Sequence, residues 1–480
     1  MPDVRRKAAS GFIYVAFYSA AVRIMQFGGL FIFAKLLQPE DIGACALGMI
    51  LVTGLVMFRE MGFTPALMQI QDEVEQAFNS ATALIPVLGW TVFLLIYVAA
   101  PLFCRIMGDE SIIALVQFLG LIAPFSALAV VPAVYLQRQM QFRRKVLPET
   151  LSVLIAFSAG VYLAYQGYGA WSYAAALVLT EFFRGIFYWI AVGLMFTPKI
   201  DLSMWKRLIK YGYNVSLGSV SGFIYSLLDQ LMVGKFFGKT MLGHYSIAMK
   251  INNMLPSGMV ILSNQVMLAI LSSLQSEKEA YRRAYLKGLT FFAIVSFPLA
   301  AGILFFGGGL LQFFYGHKWD QAIIVLQILA LYGLLRSIGE LNGEVFFSKG
   351  QPRYFKYQGL ARTVVVLLFL PLALRFNSIE AIAALFTVVL LFTAAFTFLW
   401  AAKLMEESIF RMVKIFLPHL AGIAAGWAMM TAFSLLSDNL CWRIIIFYLG
   451  YGILFHFLTK EEIRGIWSFI KEISARRKTE

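Results

Sequence analysis

The sequence has few charges, few cysteines and no long polar segment. Only 14% of its residues are charged, against about 25% in ordinary soluble domains. A chain of 480 residues with so little charge cannot clothe a water-facing surface, which excludes a soluble globular protein. Its three cysteines, Cys45, Cys104 and Cys441, lie far apart in or beside apolar runs, and the four histidines are as scattered. Neither a disulfide framework nor a zinc-ligand spacing is available. There is no H-E-x-x-H, no G-x-S-x-G context and no metal-ligand cluster, so no catalytic residue and no metal are assigned. The segment Gly234-Lys235-Phe236-Phe237-Gly238-Lys239-Thr240 is one residue short of a phosphate loop and follows an apolar helix, not a strand, which excludes an ATPase. A large external loop, as expected of a membrane enzyme acting on lipid-linked sugars, is also missing. Met1–Ser10 is basic, but the apolar run behind it continues to about Leu37, too long for a cleavable signal.

What the sequence does have is hydrophobicity: 60% of it is apolar. A helix needs about 20 apolar residues to cross a bilayer. Such runs lie near 11–37, 42–69, 79–104, 112–136, 147–166, 170–196, 209–234, 242–272, 286–314, 321–347, 356–376, 379–402, 412–436 and 441–459. The expectation is an all-α polytopic membrane protein of about fourteen spans. Short loops join them, and membrane lipids are its solvent. After Thr459, Ile463, Ile466, Trp467 and Ile470 fall on one face, so residues 460–480 read as a cytoplasmic amphipathic tail on the membrane surface.

The net charge of +14 raises nucleic acid as a partner, and its placement removes it. With the N-terminus inside, the inside segments carry the basic groups Arg5–Lys7, Arg138–Lys145, Lys199–Lys210, Lys278–Lys287, Lys349–Lys356 and Lys403–Lys414, and the basic tail. The outside segments carry only Lys35, Arg105, Lys235, Lys239, Lys318, Arg375 and Arg443. This is a topology signal, and it puts both termini in the cytoplasm. The acidic connection Asp72-Glu73-Val74-Glu75 dissents, but acids weigh little in this rule.

The chain also repeats. Lys35 with Gly43 matches Lys235 with Gly243, and Ile113 with Gln117 matches Ile323 with Gln327. The reading is an N-terminal lobe over 1–200 and a C-terminal lobe over 201–408, each of about six helices and in the same orientation. Two extra spans occupy 409–459. Gly339 and Gly343, and Gly422 and Gly426, have the small-xxx-small spacing that allows close helix approach.

Chemistry is left to charges inside the spans, each costing roughly 2.5–3.5 kcal/mol at the bilayer centre. Glu181 with Arg184, and Arg336 with Glu340 and Glu344, have built-in pairing distances. Arg362 stands close enough to a helix end to snorkel. Arg59 and Glu60 are adjacent and diverge by about 100° on a helix. Arg23 and Lys250 have no acid within a turn. Arg23, Arg59 and Lys250 are therefore the leading candidates for a ligand site, with inter-helix ion pairs as the alternative. Asp229 is a candidate partner for Lys250 or for a coupling cation.

The stretch Tyr315-Gly316-His317-Lys318-Trp319, Val325-Leu326-Gln327-Ile328 and Gly333-Leu334-Leu335-Arg336-Ser337-Ile338-Gly339 resembles the Wzx-type flippases of the polysaccharide exporter family, in the multidrug/oligosaccharidyl-lipid/polysaccharide exporter superfamily. Gln139-Met140-Gln141-Phe142 and Gly243-His244-Tyr245 add to the likeness, which is nearest to the colanic acid exporter branch. The resemblance implies two lobes around a cavity, alternating access, and an undecaprenyl-pyrophosphate-linked oligosaccharide moved from the inner to the outer leaflet. On that view Arg23, Arg59, Lys250 and Arg336 hold the pyrophosphate. Asp229, Glu60, Glu340 and Glu344 serve coupling or charge pairing, with Na⁺ or H⁺ as the coupling ion and no other cofactor. A polysaccharide polymerase and export machinery are the implied partners. A cation-coupled multidrug antiporter and a peptidoglycan lipid-precursor flippase are the alternatives.

Overall fold

The computed structural model of the chain describes residues 25, 28–60, 62–193, 195–216, 220–253, 263, 267–351, 353–434 and 439–479. Those residues form helices and short connections, with no strand among them. Among them, 11 helices are long and apolar enough to cross a membrane. Three of the expected spans, 11–37, 209–234 and 242–272, fall partly on residues outside the description. Compactness divides the chain into Met1–Ser246 and Ile247–Glu480.

The first unit holds α1 (Pro39–Glu60), α2 (Phe63–Gln69), α3 (Val74–Met107), α4 (Ile113–Leu119), α5 (Ile122–Arg138), α6 (Phe142–Tyr165), α7 (Ala170–Val192) and α8 (Leu202–Ser216), then most of α9 (Val220–Asn252). Glu40 and Asp41 open α1 where a negative charge meets the positive helix end. Asp41 accepts from Gln38 N at 3.0 Å and from Ala170 N at 3.0 Å, so one carboxylate caps the starts of α1 and α7. The span expected over 42–69 is two helices. Gly62, at φ 65°, takes a left-handed turn that stops α1 and starts α2. α9 is likewise broken at Gly238, whose φ of 79° and ψ of 178° suit only glycine. The phosphate-loop look-alike is thus a helix break. Phe63, Leu67, Phe78, Leu84, Val131 and Leu208 form the core beneath α2 and α8.

The second unit holds α10 (Leu268–Ser273), α11 (Lys278–Tyr315), α12 (Gln321–Ser348), α13 (Arg353–Arg375), α14 (Ile379–Met405), α15 (Ile409–Lys414), α16 (Leu417–Ser434) and α17 (Leu440–Thr479). Its core gathers Tyr281, Tyr285, Phe292, Leu341, Val345 and Met405. The last span and the expected tail form one continuous helix, Leu440–Thr479, not a span followed by a separate surface helix. The small-residue spacing is used at one of its two places. A Cβ on Gly426 would stand 2.5 Å from the Phe447 carbonyl, so α16 and α17 touch backbone to backbone there. A Cβ on Gly339 would meet nothing within 4 Å among the described residues, so no close approach is seen at that glycine.

The repeat is visible in local geometry. Gly108 (φ 84°) ends α3 and Gly316 (φ 75°) ends α11. Each is followed by a 3₁₀ turn, Glu110–Ile112 or His317–Trp319. Gln117 then donates its side-chain amide to Tyr97 O at 3.2 Å, and Gln327 to Leu304 O at 3.1 Å. At the far end of the next helix, Met140 and Gly350 both adopt positive φ. Gln141 N and Gln351 N then bond back to Leu136 O and Phe346 O at 2.9 and 2.8 Å. Outward faces are apolar, as on α3, where Leu94, Leu95, Val98 and Leu102 are all exposed. In water such a stripe would be a liability; in hydrocarbon it is the favoured surface.

Candidate functional site

Arg59 stands in the last turn of α1 and is only 2% exposed. Its Nη1 donates to Ala123 O at 2.5 Å and to Ser126 Oγ at 2.6 Å, both on α5. The guanidinium is thus spent on tying α1 to α5, a structural use that the sequence reading placed second. Glu60 ends α1, but its side chain lies outside the described residues, as does Arg23. Glu181 and Arg184 form the ion pair expected from their spacing. Arg362 does not snorkel to a helix end; its Nε donates to Thr393 Oγ1 on α14 at 3.0 Å.

The second unit gathers a polar cluster where the end of α9 meets α12. Asn252 is buried, and its amide donates to Ala248 O at 3.0 Å and to Leu326 O at 3.1 Å. Next to it, Asn253 Oδ1 accepts from Arg336 Nη1 at 3.2 Å. Arg336 Nε stands 3.7 Å from Glu340 Oε1, one helical turn on, with its side chain 40% exposed. Lys250, half-buried, lies in the last turn of α9. One turn past Glu340, Glu344 is 3% exposed, and its Oε2 has no hydrogen-bond partner among the described residues. Of the predicted cavity cations, the structure thus brings Lys250 and Arg336 into one unit and leaves the Arg336 guanidinium partly open. An arginine held by a neutral amide and a loose carboxylate still presents N–H donors in the fork geometry that suits phosphate oxygens.

In the first unit Asp229 is 3% exposed and accepts from the Tyr245 hydroxyl at 3.0 Å. Glu149 accepts from Tyr188 at 2.7 Å in the same manner. A phenol supplies a hydrogen bond without a second charge. Glu380 sits in the first turn of α14, behind the Ser378 cap, where a carboxylate favours the helix start.

One ionic cluster was missed by sequence reasoning. Lys239 Nζ stands 2.9 Å from Glu40 Oε1, 2.9 Å from Asp109 Oδ2 and 3.3 Å from Ser111 Oγ. Burial pushes the Asp109 carboxyl up, but hydrogen bonds from Ser111 and Lys239 outweigh it and hold the group below the usual carboxylate range. The Lys35/Lys235 and Gly43/Gly243 match pointed to this place without indicating the partners.

The sequence profile of a family described as polysaccharide biosynthesis protein matches residues 32–324. The chain belongs to that family. Relatives span most of it. The teichuronic acid biosynthesis protein TuaB of Bacillus subtilis is 23% identical over 73% of this chain and 73% of its own length. The lipopolysaccharide biosynthesis protein WzxC of Escherichia coli is 19% identical over 73% and 71%. The succinoglycan biosynthesis transport protein ExoT of Rhizobium meliloti is 25% identical over 62% and 61%. Among solved structures, the lipid II flippase MurJ in an inward closed conformation has a TM-score of 0.70 at 16% identity, covering 94% of this chain and all of that one. An inward-facing multidrug resistance transporter of the MATE family has 0.65 at 16% identity, over 82% and 98%. At such identities the structural likeness establishes the fold alone: this member of the family has the architecture of a polytopic transporter.

Proposed function

We propose that the chain is a flippase. It moves an undecaprenyl-pyrophosphate-linked oligosaccharide from the inner to the outer leaflet by alternating access, as a step of polysaccharide biosynthesis. The observation that carries this reading is the sign of the open intramembrane charge. Arg336 is anchored by Asn253 and remains partly exposed, while the buried Asp229 and the half-buried Glu149 accept hydrogen bonds from tyrosine hydroxyls. A binding cation suits a pyrophosphate. A site for cationic drugs would present the reverse. Relatives named for teichuronic acid, lipopolysaccharide and succinoglycan biosynthesis support the substrate class.

On this reading Arg336 and Lys250 meet the pyrophosphate, the sugar stays wet in the cavity and the polyprenyl tail stays in lipid. Arg23 joins them, and the lobes run over 1–200 and 201–408. The protein works in the inner membrane with both termini cytoplasmic, beside a polysaccharide polymerase and export machinery. Outward movement of an anion is downhill in an inside-negative cell by roughly 2.3 kcal/mol per charge per 100 mV. Further drive comes from Na⁺ or H⁺, with Asp229 and Glu344 as the groups to carry it. The test is deletion of the gene, scored for surface polysaccharide and for the lipid-linked unit. Loss of polysaccharide with the unit accumulating in the inner leaflet is expected. Unchanged polysaccharide with altered drug sensitivity would move the assignment to an antiporter, and lethality through the cell wall to a peptidoglycan precursor flippase.

A further inference from the structure

A small cavity lies in the first unit between the end of α2, the connection that follows it and α8. Its volume is about 320 Å³. That is near the lower end of small-ligand sites, which hold ~300–1,000 Å³. Ala66, Ile70 and Leu208 give it an apolar lining, and Gln69, Gln71, Asp72 and Arg207 a polar one. Both sides are tied down. Arg138 Nη1 donates to Leu67 O at 2.7 Å near the end of α2. On α8, Met204 and Leu208 are buried in the core beneath α2 and α8, and Trp205 Nε1 donates to Ser80 O at 3.2 Å.

The polar lining is not used up within the protein. Arg207 Nη1 stands 3.8 Å from Glu73 Oε2, beyond hydrogen-bond length, and both side chains are more than half exposed. Among the described residues, the side chains of Gln69, Gln71 and Asp72 make no hydrogen bond or ion pair. One cation, one carboxylate and two amides thus share a cavity and stay available. A simple anion would meet Asp72 there, and a simple cation would meet Arg207. A ligand carrying both charges suits both groups. A phosphate fits the fork of the guanidinium, and an ammonium with N–H donors fits a carboxylate, which only accepts.

The surroundings point to a lipid. Asp72 stands two residues ahead of the span Val74–Met107, which puts the cavity at a membrane surface. Met68, Leu202 and Ile209, next to the lining in sequence or on α8, are exposed apolar side chains. Lys206 and Lys210 on α8 are exposed as well. Exposed apolar groups beside exposed lysines are the composition of a helix lying among headgroups.

We propose that this cavity binds the headgroup of an aminophospholipid, with its phosphate on Arg207 and its primary ammonium on Asp72. The site belongs to the first unit alone. It rests on the membrane-spanning fold and not on the cargo.

The test is native mass spectrometry of the full-length protein in detergent. It is offered equal amounts of phosphatidylethanolamine, phosphatidylcholine and phosphatidylglycerol with the same acyl chains. Phosphatidylcholine has no N–H for Asp72, and phosphatidylglycerol has no ammonium. The parent retains phosphatidylethanolamine in preference to both. Arg207→Gln weakens that lipid about tenfold, the size of one charge-assisted hydrogen bond lost. Asp72→Asn abolishes the preference over phosphatidylcholine. Lys210→Gln, outside the lining, leaves the preference unchanged. Glycerophosphoethanolamine, the same headgroup without acyl chains, does not displace the lipid at equal concentration. Its displacing the lipid would make the ligand a free zwitterion and overturn the lipid assignment. Equal retention of the three lipids by the parent overturns the site, as does parental preference in both Arg207→Gln and Asp72→Asn. Should one variant fail to accumulate, the other decides alone. A different cargo leaves this lipid preference as it is, so failure of the flippase reading shows in the polysaccharide assay and failure of the lipid site shows here.

Discussion

Replacing Arg59 by alanine separates a structural arginine from a ligand-binding one. Arg59 is 2% exposed and gives two charge-assisted hydrogen bonds, to Ala123 O and Ser126 Oγ. Such bonds are worth about 1.5–3 kcal/mol each. Removing the side chain also removes the cost of burying its charge, which returns part of that sum. The net loss worked from these contacts is about 2–4 kcal/mol. Arg336 is the contrast: its side chain is 40% exposed, with a 3.2 Å bond to Asn253 and a 3.7 Å approach to Glu340. Exposed pairs of that kind contribute about 0–1 kcal/mol. Thermal unfolding of detergent-solubilised Arg59→Ala and Arg336→Ala, with polysaccharide export scored at equal protein level, makes the comparison. The expected result is a lowered melting temperature for Arg59→Ala with export retained in the folded fraction. Arg336→Ala should melt like the parent and lose export. If instead Arg59→Ala melts like the parent and loses export, its guanidinium serves the ligand and the clamp argument is wrong.

Two more outcomes follow from local contacts. Gly426→Leu drives a side chain into the Phe447 carbonyl and lowers the melting temperature, whereas Gly339→Leu, with no atom within 4 Å of its Cβ position, leaves it within about 0.5 kcal/mol of the parent. Asp201, ahead of α8, accepts from Ser203 Oγ, Met204 N and Gln76 Nε2, which lower its carboxyl from 3.8 to about 2. A depressed carboxyl contributes stability above its unfolded value and loses it as pH falls through the folded one. Wild type should therefore out-melt Asp201→Asn near neutral pH, and the gap should close between about pH 4 and pH 2. A gap that stays constant over that range would show that the carboxylate charge is not what those donors stabilise.

The fold was legible because its causes are local. Span length follows from bilayer thickness, and a pair three or four residues apart lies on one helical face in any fold. Glu181 with Arg184, and Arg336 with Glu340, are formed as their spacing requires. What was not legible depends on which helix stands opposite. Nothing within a turn of Arg59 points to Ala123 or Ser126, and nothing near Lys239 points to Asp109. The two small-residue motifs make the same point from the other side. Gly339 and Gly426 sit in the same spacing, yet only the latter has a neighbour's backbone against it. Spacing states that an approach is permitted, and only the partner helix makes it happen.

The treatment of charge inside the spans bears on what the site can bind. A buried carboxylate paired with lysine or arginine would consume the cation that an anionic ligand needs. Here Asp229 and Glu149 are met by Tyr245 and Tyr188. Each acid gains a hydrogen bond from a group that carries no charge of its own. Arg59 likewise donates to a carbonyl and a hydroxyl, both of them neutral. At the meeting of α9 and α12, the partly exposed Arg336 has the Glu340 carboxylate at 3.7 Å, beyond hydrogen-bond length. An incoming pyrophosphate can take that arginine with little to displace, since a loose ion pair is weak before the ligand arrives. Replacing Glu340 by glutamine should therefore leave export running, while replacing Asn253 by alanine lets the guanidinium wander and slows it. If Glu340→Gln abolished export and Asn253→Ala did not, the carboxylate rather than the arginine would be the working group, and the cargo would be a cation.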